Sequence, residues 1–91
     1  MLFEWDGAKE AANRRKHGVS FTSAASVFLD PLAWTFEDPD HSFGEIRYIT
    51  IGQGVDERLL VVSHVEVAED RIRIISVRPA TAQERRSYEE S

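Results

Sequence analysis

The fold is decided by residues 45–79, EIRYITIGQGVDERLLVVSHVEVAEDRIRIISVRP. Segments rich in Ile, Val and Leu alternate there with two short turn segments, GVDE (54–57) and AED (68–70). Turns this short connect neighbouring strands in opposite directions, so the pattern predicts an antiparallel meander. Residues 59–62 are apolar at every position, which predicts a strand covered at least partly on both faces. The predicted strands span residues 45–52, 58–67 and 71–78.

Two helices are predicted upstream of this meander. Asp6 is placed to cap a helix over residues 7–17, and Gly18 tolerates the left-handed conformation that often ends one. A second helix is predicted over residues 19–30 from the helical spacing of its apolar side chains. Pro31 prevents that helix from continuing.

The remaining segments complete an α+β pattern. LFEW (residues 2–5) and LAWTFED (32–38) are predicted strands, and PDHSFGE (39–45) has the composition of a loop. Thr81 and Glu84 have the spacing of a capping box, which predicts that a C-terminal helix begins there. Two N-terminal helices, an antiparallel sheet meander and a C-terminal helix give an α+β domain.

Composition and charge limit the class of protein. The 91 residues carry a formal net charge of −5 and include no cysteine, so no disulfide or thiolate metal site is possible. The net charge argues against a general nucleic-acid-binding domain, but it is compatible with a locally basic cleft. The sequence begins with no secretory signal and has no apolar run of about 20 residues, so we expect a cytoplasmic protein without a membrane segment.

The predicted end of the first helix collects basic side chains. Residues 14–17, RRKH, lie in its last turn, where cations complement the negative end of the helix dipole. That effect alone would explain the cluster. The alternative is that Lys16 and His17 face a cleft, where His17 is the better acid–base candidate because histidine titrates near neutrality.

The last predicted strand offers a second group of candidates. Ile72 and Ile74 mark one of its faces as buried, and strict alternation places Ser76 and Arg78 at the solvent end of that same face. A site built on a rigid apolar floor would lie there. The structural alternative is a small core serine beside an arginine that extends to solvent.

Other polar residues have open roles. Glu45 and Arg47 are two positions apart, so they would share a strand face, either as an exposed ion pair or as a carboxylate beside a phosphate-binding cation. His64 is either structural or a substrate contact, and Tyr88 either anchors the last helix or donates to a phosphate. His41 lies in an acidic loop and is predicted at the surface.

Several chemistries lack their characteristic motifs. The sequence has no glycine-rich phosphate loop, dinucleotide fingerprint, paired zinc ligands, EF-hand loop or serine-hydrolase elbow. The remaining Arg, Lys, His, Glu and Tyr side chains suit metal-independent cleavage of RNA. In that reaction the RNA 2′-hydroxyl is the nucleophile, so the protein must supply only a base, an acid and cations for the phosphorane charge.

Ordered motifs along residues 3–90 resemble the BrnT toxins of type II toxin–antitoxin systems. They run from Phe-x-Trp-Asp and Lys-x-x-x-Asn, through Lys-His-Gly-Val-x-Phe-x-x-Ala, to Glu-x-Arg with a following Ile-Gly. The last is Arg-x-Ile-Ser-x-Arg-x-Ala with downstream Glu and Tyr. Two positions depart from the family pattern: Val77 replaces a small residue, and Pro79 replaces a common lysine, which leaves Arg78 as the principal cation of this strand end.

The resemblance implies a RelE-like ribonuclease fold in a single toxin domain, residues 1–91. It implies an endoribonuclease that arrests translation and a cognate BrnA-like antitoxin that neutralises it, in a hetero-oligomer of possible 2:2 stoichiometry. The antitoxin would supply any contact with operator DNA. Together with the residues discussed above, the predicted catalytic residues are Lys16, His17, Glu45, Arg47, Arg78 and Tyr88, and the predicted substrate-binding residues are Arg14, Arg15, Ser76 and His64.

The predicted roles within that set are partly open. His17 or Glu45 would be the general base, Arg47 and Arg78 would hold the phosphate, and no metal or cofactor is expected. Lys16 would assist, and Tyr88 would position the substrate or help the leaving group. A function of a different class also stays open: a non-catalytic module that uses the same basic groove to hold an acidic partner segment.

Overall fold

The computed structural model describes residues 1–90 and contains three α-helices, two 3-10 turns and one five-stranded sheet. No helix within residues 1–90 is long and apolar enough to cross a membrane. In chain order the elements are β1 (Leu2–Glu4), α1 (Gly7–His17), α2 (Phe21–Ser26) with a 3-10 turn (Val27–Leu29), β2 (Trp34–Glu37), a second 3-10 turn (Pro39–His41), β3 (Arg47–Gln53), β4 (Leu59–Ala68), β5 (Arg71–Pro79) and α3 (Ala82–Glu90).

Local capping chemistry sets the ends of α1. The Asp6 carboxylate accepts hydrogen bonds from the backbone N–H groups of Ala8 and Lys9, at 2.8 and 3.1 Å. Gly18 has a φ of 69°, and its N–H donates to the Arg14 carbonyl. Both predicted ends of the helix are therefore confirmed, and the four basic residues do occupy its last turn.

The second helix is shorter than predicted. Ser20 caps α2 by accepting from the N–H of Ser23, but regular helix ends at Ser26 and gives way to the 3-10 turn. The predicted capping box of α3 is confirmed, because Glu84 accepts from the Thr81 N–H and Thr81 Oγ1 accepts from the Glu84 N–H.

The sheet has the order β1-β5-β4-β3-β2, so the predicted antiparallel meander is confirmed for β3 to β5, and β2 extends it by pairing antiparallel with β3. The first strand completes the sheet by pairing in parallel with β5, from Leu2 opposite Arg71 to Glu4 opposite Arg73. Because β1 ends there, the second half of β5 has no strand on that side. This gap admits the C-terminal half of α1.

The two faces of the sheet have different coverings. One, the covered face, packs against α1 and α2 through a core that includes Phe21, Leu60, Val62 and Val77, all 0% exposed. The other, the open face, carries the smaller buried cluster Ile51, Leu59 and Val61, against which Tyr88 of α3 packs. The prediction that β4 is covered on both faces is confirmed, since residues 59–62 are all buried.

Candidate active site

A β-bulge in β5 decides which face carries its polar end. Ser63 pairs with Ser76, but the next residue of β4, His64, pairs with Ile74, so Ile75 has no partner. One extra residue reverses the alternation of a strand. Ile74 and Val77 therefore both lie in the core of the covered face, while Ser76 and Arg78 line a cleft on the open face. The prediction that Ser76 and Arg78 share a face with Ile74 was wrong for this reason.

Asn13 fixes the end of α1 against β5. Its side-chain amide donates to the Val77 carbonyl at 2.9 Å, and its side-chain oxygen accepts from the Val77 N–H at 3.1 Å. These bonds replace the strand partner that β5 lacks beyond the end of β1. His17 lies one turn after Asn13 and so on the same side of the helix, which places its imidazole beside this end of β5.

The residues that meet there line a cleft of about 330 Å³. Ile49 and Val61 provide an apolar floor on the open face. Four of the predicted site residues line this cleft although they come from α1, β3 and the far end of β5: His17, Arg47, Ser76 and Arg78. Three further polar residues also line it: Asp38, His41 and Ser63.

The two arginines of the cleft differ in their electrostatic balance. Arg78 donates to both carboxylate oxygens of Glu84, at 2.7 and 2.8 Å. This bond lowers the pKa of Glu84 to about 2 and raises the pKa of Arg78, so the pair is fully charged at neutral pH. Arg47 forms no ion pair within residues 1–90, and its buried Nε has no hydrogen-bond partner there. Among the described residues, Arg47 is therefore the cleft cation that no carboxylate pairs with.

The other basic residues at the end of α1 do not line the cleft. Lys16 is exposed and is not among the cleft residues. Arg14 pairs with Glu10 one turn earlier, at 3.7 Å, and Arg15 is exposed. Their positions fit the simple effect of cations on the helix dipole. Contact with RNA stays a prediction for Arg14 and Arg15, and the assisting catalytic role stays a prediction for Lys16, although Lys16 does not line the cleft.

Two predicted catalytic residues lie in other grooves. Strand β3 begins at Arg47, so Glu45 precedes it and does not share its strand face; Glu45 lines a separate groove with Tyr48. Tyr88 packs against the buried cluster of the open face, but it lines a separate groove with Trp34, and its hydroxyl donates to Asp30 at 2.6 Å. That hydrogen bond raises the pKa of Tyr88 to about 12.

His64 belongs to the core, which corrects its predicted contact with substrate. It is 2% exposed and lies on the covered face against the ring of Phe28, with ring centroids 4.9 Å apart. Its Nε2 shares a 2.8 Å hydrogen bond with Thr50 Oγ1. Burial lowers the pKa of His64 to about 4, so this histidine is neutral at physiological pH.

Two of the cleft residues that sequence reasoning missed, Asp38 and His41, lie in the segment after β2, and the third, Ser63, lies in β4. His41 is at the surface, as predicted, but it also faces the cleft, and its Nδ1 lies 2.8 Å from Asp38 Oδ2. The spacing Asp-Pro-Asp-His was a usable signal, because a Pro-initiated 3-10 turn brings residues three apart together. Within residues 1–90, no three His, Asp or Glu side chains are grouped so as to hold a metal ion.

Comparison with known proteins identifies the fold and the family of the chain. A crystal structure of the Brucella abortus ribonuclease toxin BrnT superimposes with a TM-score of 0.69 at 23% identity, over 89% of this chain and 99% of that one. This likeness confirms the mixed α+β fold. No curated protein matches the chain. Residues 5–84 match the family model described as ribonuclease toxin, BrnT, of type II toxin–antitoxin system. The chain therefore belongs to the BrnT family of ribonuclease toxins.

Proposed function

We propose that this protein is a cytoplasmic, metal-independent endoribonuclease that inhibits translation by cutting RNA inside the open-face cleft. The observation that carries the proposal is the meeting of His17, Arg47, Ser76 and Arg78 in one cleft on an apolar floor. A titratable imidazole beside two guanidinium groups suits attack by a 2′-hydroxyl on its own phosphodiester.

In this mechanism His17 is the general base. Its imidazole lines the cleft, and a neutral imidazole nitrogen can accept the proton of the 2′-hydroxyl. Arg47 supplies the uncompensated charge that attracts the phosphate, and Arg78, held in one orientation by Glu84, supplies a second set of donors. Ser76 provides a hydroxyl at the cleft wall.

The test is RNA cleavage by the purified protein in EDTA. We expect products with 2′,3′-cyclic phosphate and 5′-hydroxyl ends, and no cleavage of an oligonucleotide with a single 2′-deoxy substitution at the mapped site. Arg47→Ala should reduce cleavage at least about 100-fold, because it removes charge stabilisation in the transition state. Arg85→Ala is the matched control, since Arg85 is exposed on α3 away from the cleft. Cleavage that appears only after a divalent metal is added would refute the mechanism.

The proposed partner is a BrnA-like antitoxin that covers the cleft, in a hetero-oligomer of 2:2 stoichiometry that contacts operator DNA through the antitoxin alone. Membership of a toxin–antitoxin family supports a partner. The open face also exposes Trp34 (45%) and Phe36 (38%), aromatic side chains typical of protein interfaces. Co-expression with the neighbouring gene, followed by light scattering and a cleavage assay, tests both the stoichiometry and the inhibition.

A non-catalytic binding module is the second candidate. The specific observation in its favour is the bidentate bond between Arg78 and Glu84, which demonstrates that this cleft arginine accommodates a carboxylate. Arg78→Ala and His17→Ala separate the two candidates. A catalyst with either substitution loses toxicity in cells but still binds its antitoxin, whereas a binding module loses both properties together.

A further inference from the structure

We infer that His41, oriented by Asp38, is the general acid of the cleft and protonates the 5′-oxygen leaving group of the RNA. This inference rests on the proposed ribonuclease function and adds a catalytic residue to it. Three observations support it: hydrogen bonds hold the segment after β2 in place, Asp38 and His41 share a hydrogen bond, and both residues line the same cleft as His17.

The segment that carries His41 is anchored to the first residue of β3. The Asp38 N–H donates to the Arg47 carbonyl at 2.8 Å. Ser42 Oγ donates to the Asp38 carbonyl at 2.6 Å and accepts from the Arg47 N–H at 3.0 Å. These three bonds tie both ends of the 3-10 turn to the residue that supplies the unbalanced cation. His41 is therefore held at a defined place on the rim beside Arg47.

The Asp38–His41 pair has the arrangement of an oriented acid–base residue. The Asp38 side chain is 14% exposed, whereas the imidazole is 66% exposed, so the carboxylate lies beneath a ring that solvent and substrate reach. An ionised carboxylate only accepts hydrogen bonds, so Nδ1 of His41 is the donor and Nε2 is left for proton transfer. A carboxylate in this position fixes the orientation of the ring, and a general acid donates its proton from the imidazolium form.

The two histidines reach the cleft from opposite ends of the strand order: His17 comes from beside β5, and His41 comes from beside β3. His17 ends α1, which packs against β5, whereas His41 follows β2 and is tied to the start of β3. Strand β4 lies between, and its Ser63 lines the cleft. In an in-line displacement the attacking and leaving oxygens are on opposite sides of the phosphorus. A base and an acid on opposite sides of the cleft match that requirement.

The proposed step conserves atoms and charge. Nε2 or Nδ1 of His17 takes the proton of the 2′-hydroxyl as the 2′-oxygen forms its bond to phosphorus. The bond from phosphorus to the 5′-oxygen breaks, and His41 Nε2 gives its proton to that oxygen. The products are a 2′,3′-cyclic phosphate and a 5′-hydroxyl, with His17 protonated and His41 neutral until solvent exchanges the protons.

A sulfur leaving group separates this role from a structural one. An oligonucleotide is made with a 5′-bridging sulfur at the linkage that the unsubstituted protein cuts, because a thiolate leaves without protonation. We expect His41→Ala to cut ordinary RNA at least about 100-fold more slowly and the sulfur linkage within about threefold of the unsubstituted protein. His17→Ala should be slow on both substrates. Asp38→Asn should show a smaller loss in kcat with unchanged KM and the same rescue by sulfur.

The controls assign each outcome. Asp40→Asn changes an exposed acid of the same turn that lies outside the cleft, and it should match the unsubstituted protein on both substrates. The inference is overturned if His41→Ala cuts ordinary RNA at the normal rate, or if it cuts both substrates equally slowly. It is also overturned if the sulfur linkage restores cleavage by His17→Ala instead. In each of these cases the proposed function stands. If the unsubstituted protein forms no cyclic phosphate end from ordinary RNA, the proposed function itself fails.

Discussion

The covered face of the sheet is an apolar core, whereas the open face combines a small apolar cluster with a charged cleft. On the covered face, Phe21, Leu60 and Val62 are fully buried and His64 is neutral. On the open face, Arg47 and Arg78 stand beside the cleft with Glu84 close to one of them. The same three long strands supply both surfaces. The comparison indicates that stability is concentrated under α1 and α2, and that polar chemistry is confined to the side that α3 covers only in part.

Replacing the central aromatic of the covered face should cause the largest loss of stability. Phe21→Ala removes a ring that is 0% exposed and packs edge-on against Trp5. We expect the free energy of unfolding to fall by about 3–5 kcal/mol, from lost burial and the cavity left behind. Urea denaturation measures it. Trp34→Ala is the control from the open face, and because Trp34 is 45% exposed its loss should be far smaller. Equal losses would contradict the comparison.

Mild acid should weaken the covered face through His64. Its pKa in the folded protein is about 4, below the ordinary value of 6.5, so the unfolded chain binds this proton at higher pH than the folded one. Stability should therefore fall as the pH drops from about 6.5 to 4, by about 3 kcal/mol in total from this residue. The measurement is the slope of unfolding free energy against pH.

His64→Gln removes the titrating group and should flatten that slope, whatever its own stability at neutral pH. The difference between the two slopes isolates His64 from the carboxylates that also titrate in this range. A variant with the same slope as the unsubstituted protein would mean that His64 is not held neutral by its burial against Phe28.

How much of this molecule the sequence predicts depends on whether a feature is local. The ends of α1 follow from Asp6 and Gly18, and the meander follows from two short turns, so both were predictable. The bulge at Ile75 was not, because it depends on how β5 pairs with β4 rather than on any residue of β5. That single extra residue moved Ser76 and Arg78 to the other face.

Some residues of the candidate site could likewise be predicted from sequence motifs, whereas others meet only because of the fold. The resemblance supplied His17, Arg47, Ser76 and Arg78 as a set, but it could not say that Glu45 and Tyr88 line different grooves. His41 reaches the cleft only because β2 pairs with β3 and brings the 3-10 turn beside Arg47. Such neighbours, distant along the chain, are fixed by strand register, which alternating hydrophobicity constrains only within a strand.

Asn13 links the two faces, and its replacement should affect both. Asn13→Ala leaves the N–H and carbonyl of the fully buried Val77 without these side-chain partners. We expect a loss of about 1–3 kcal/mol in unfolding free energy. Cleavage of RNA should also fall in the fraction that remains folded, since the His17 side of the cleft loses its anchor. Thermal unfolding and single-turnover cleavage measure the two effects.

Asn13→Asp provides a graded control. The aspartate oxygen can still accept from the Val77 N–H, but it cannot donate to the Val77 carbonyl. The unfolding free energy of Asn13→Asp should therefore be lower than that of the unsubstituted protein and differ from that of Asn13→Ala. If Asn13→Ala is as stable as the unsubstituted protein, then packing of α1 on β5, rather than this pair of hydrogen bonds, holds the end of the helix.

The smallest expected effect comes from the ion pair on the open face. Glu84→Gln removes the charge that Arg78 binds, yet glutamine keeps the geometry of the capping box with Thr81. Because the carboxylate is partly exposed, solvent screening reduces the pair to about 1 kcal/mol of stability at neutral pH. The pKa of Glu84 is about 2 in the folded protein against an ordinary 4.5, so this stability should be complete above about pH 4.5 and be lost as the pH falls towards 2.

His64 and the Arg78–Glu84 pair therefore change the unfolding free energy over different pH ranges, and a pH series can separate the two effects. The difference in unfolding free energy between the unsubstituted protein and Glu84→Gln should be constant from pH 7 to about 5 and shrink only below about 4.5. The loss of stability caused by protonation of His64 should by contrast be nearly complete at pH 4. Arg85→Ala is the control, because Arg85 is an exposed residue of α3 outside the Arg78–Glu84 pair, and it should show no such acid dependence. A Glu84→Gln difference that already shrinks between pH 6.5 and 5 would mean that the ion pair does not hold the Glu84 pKa below its usual range.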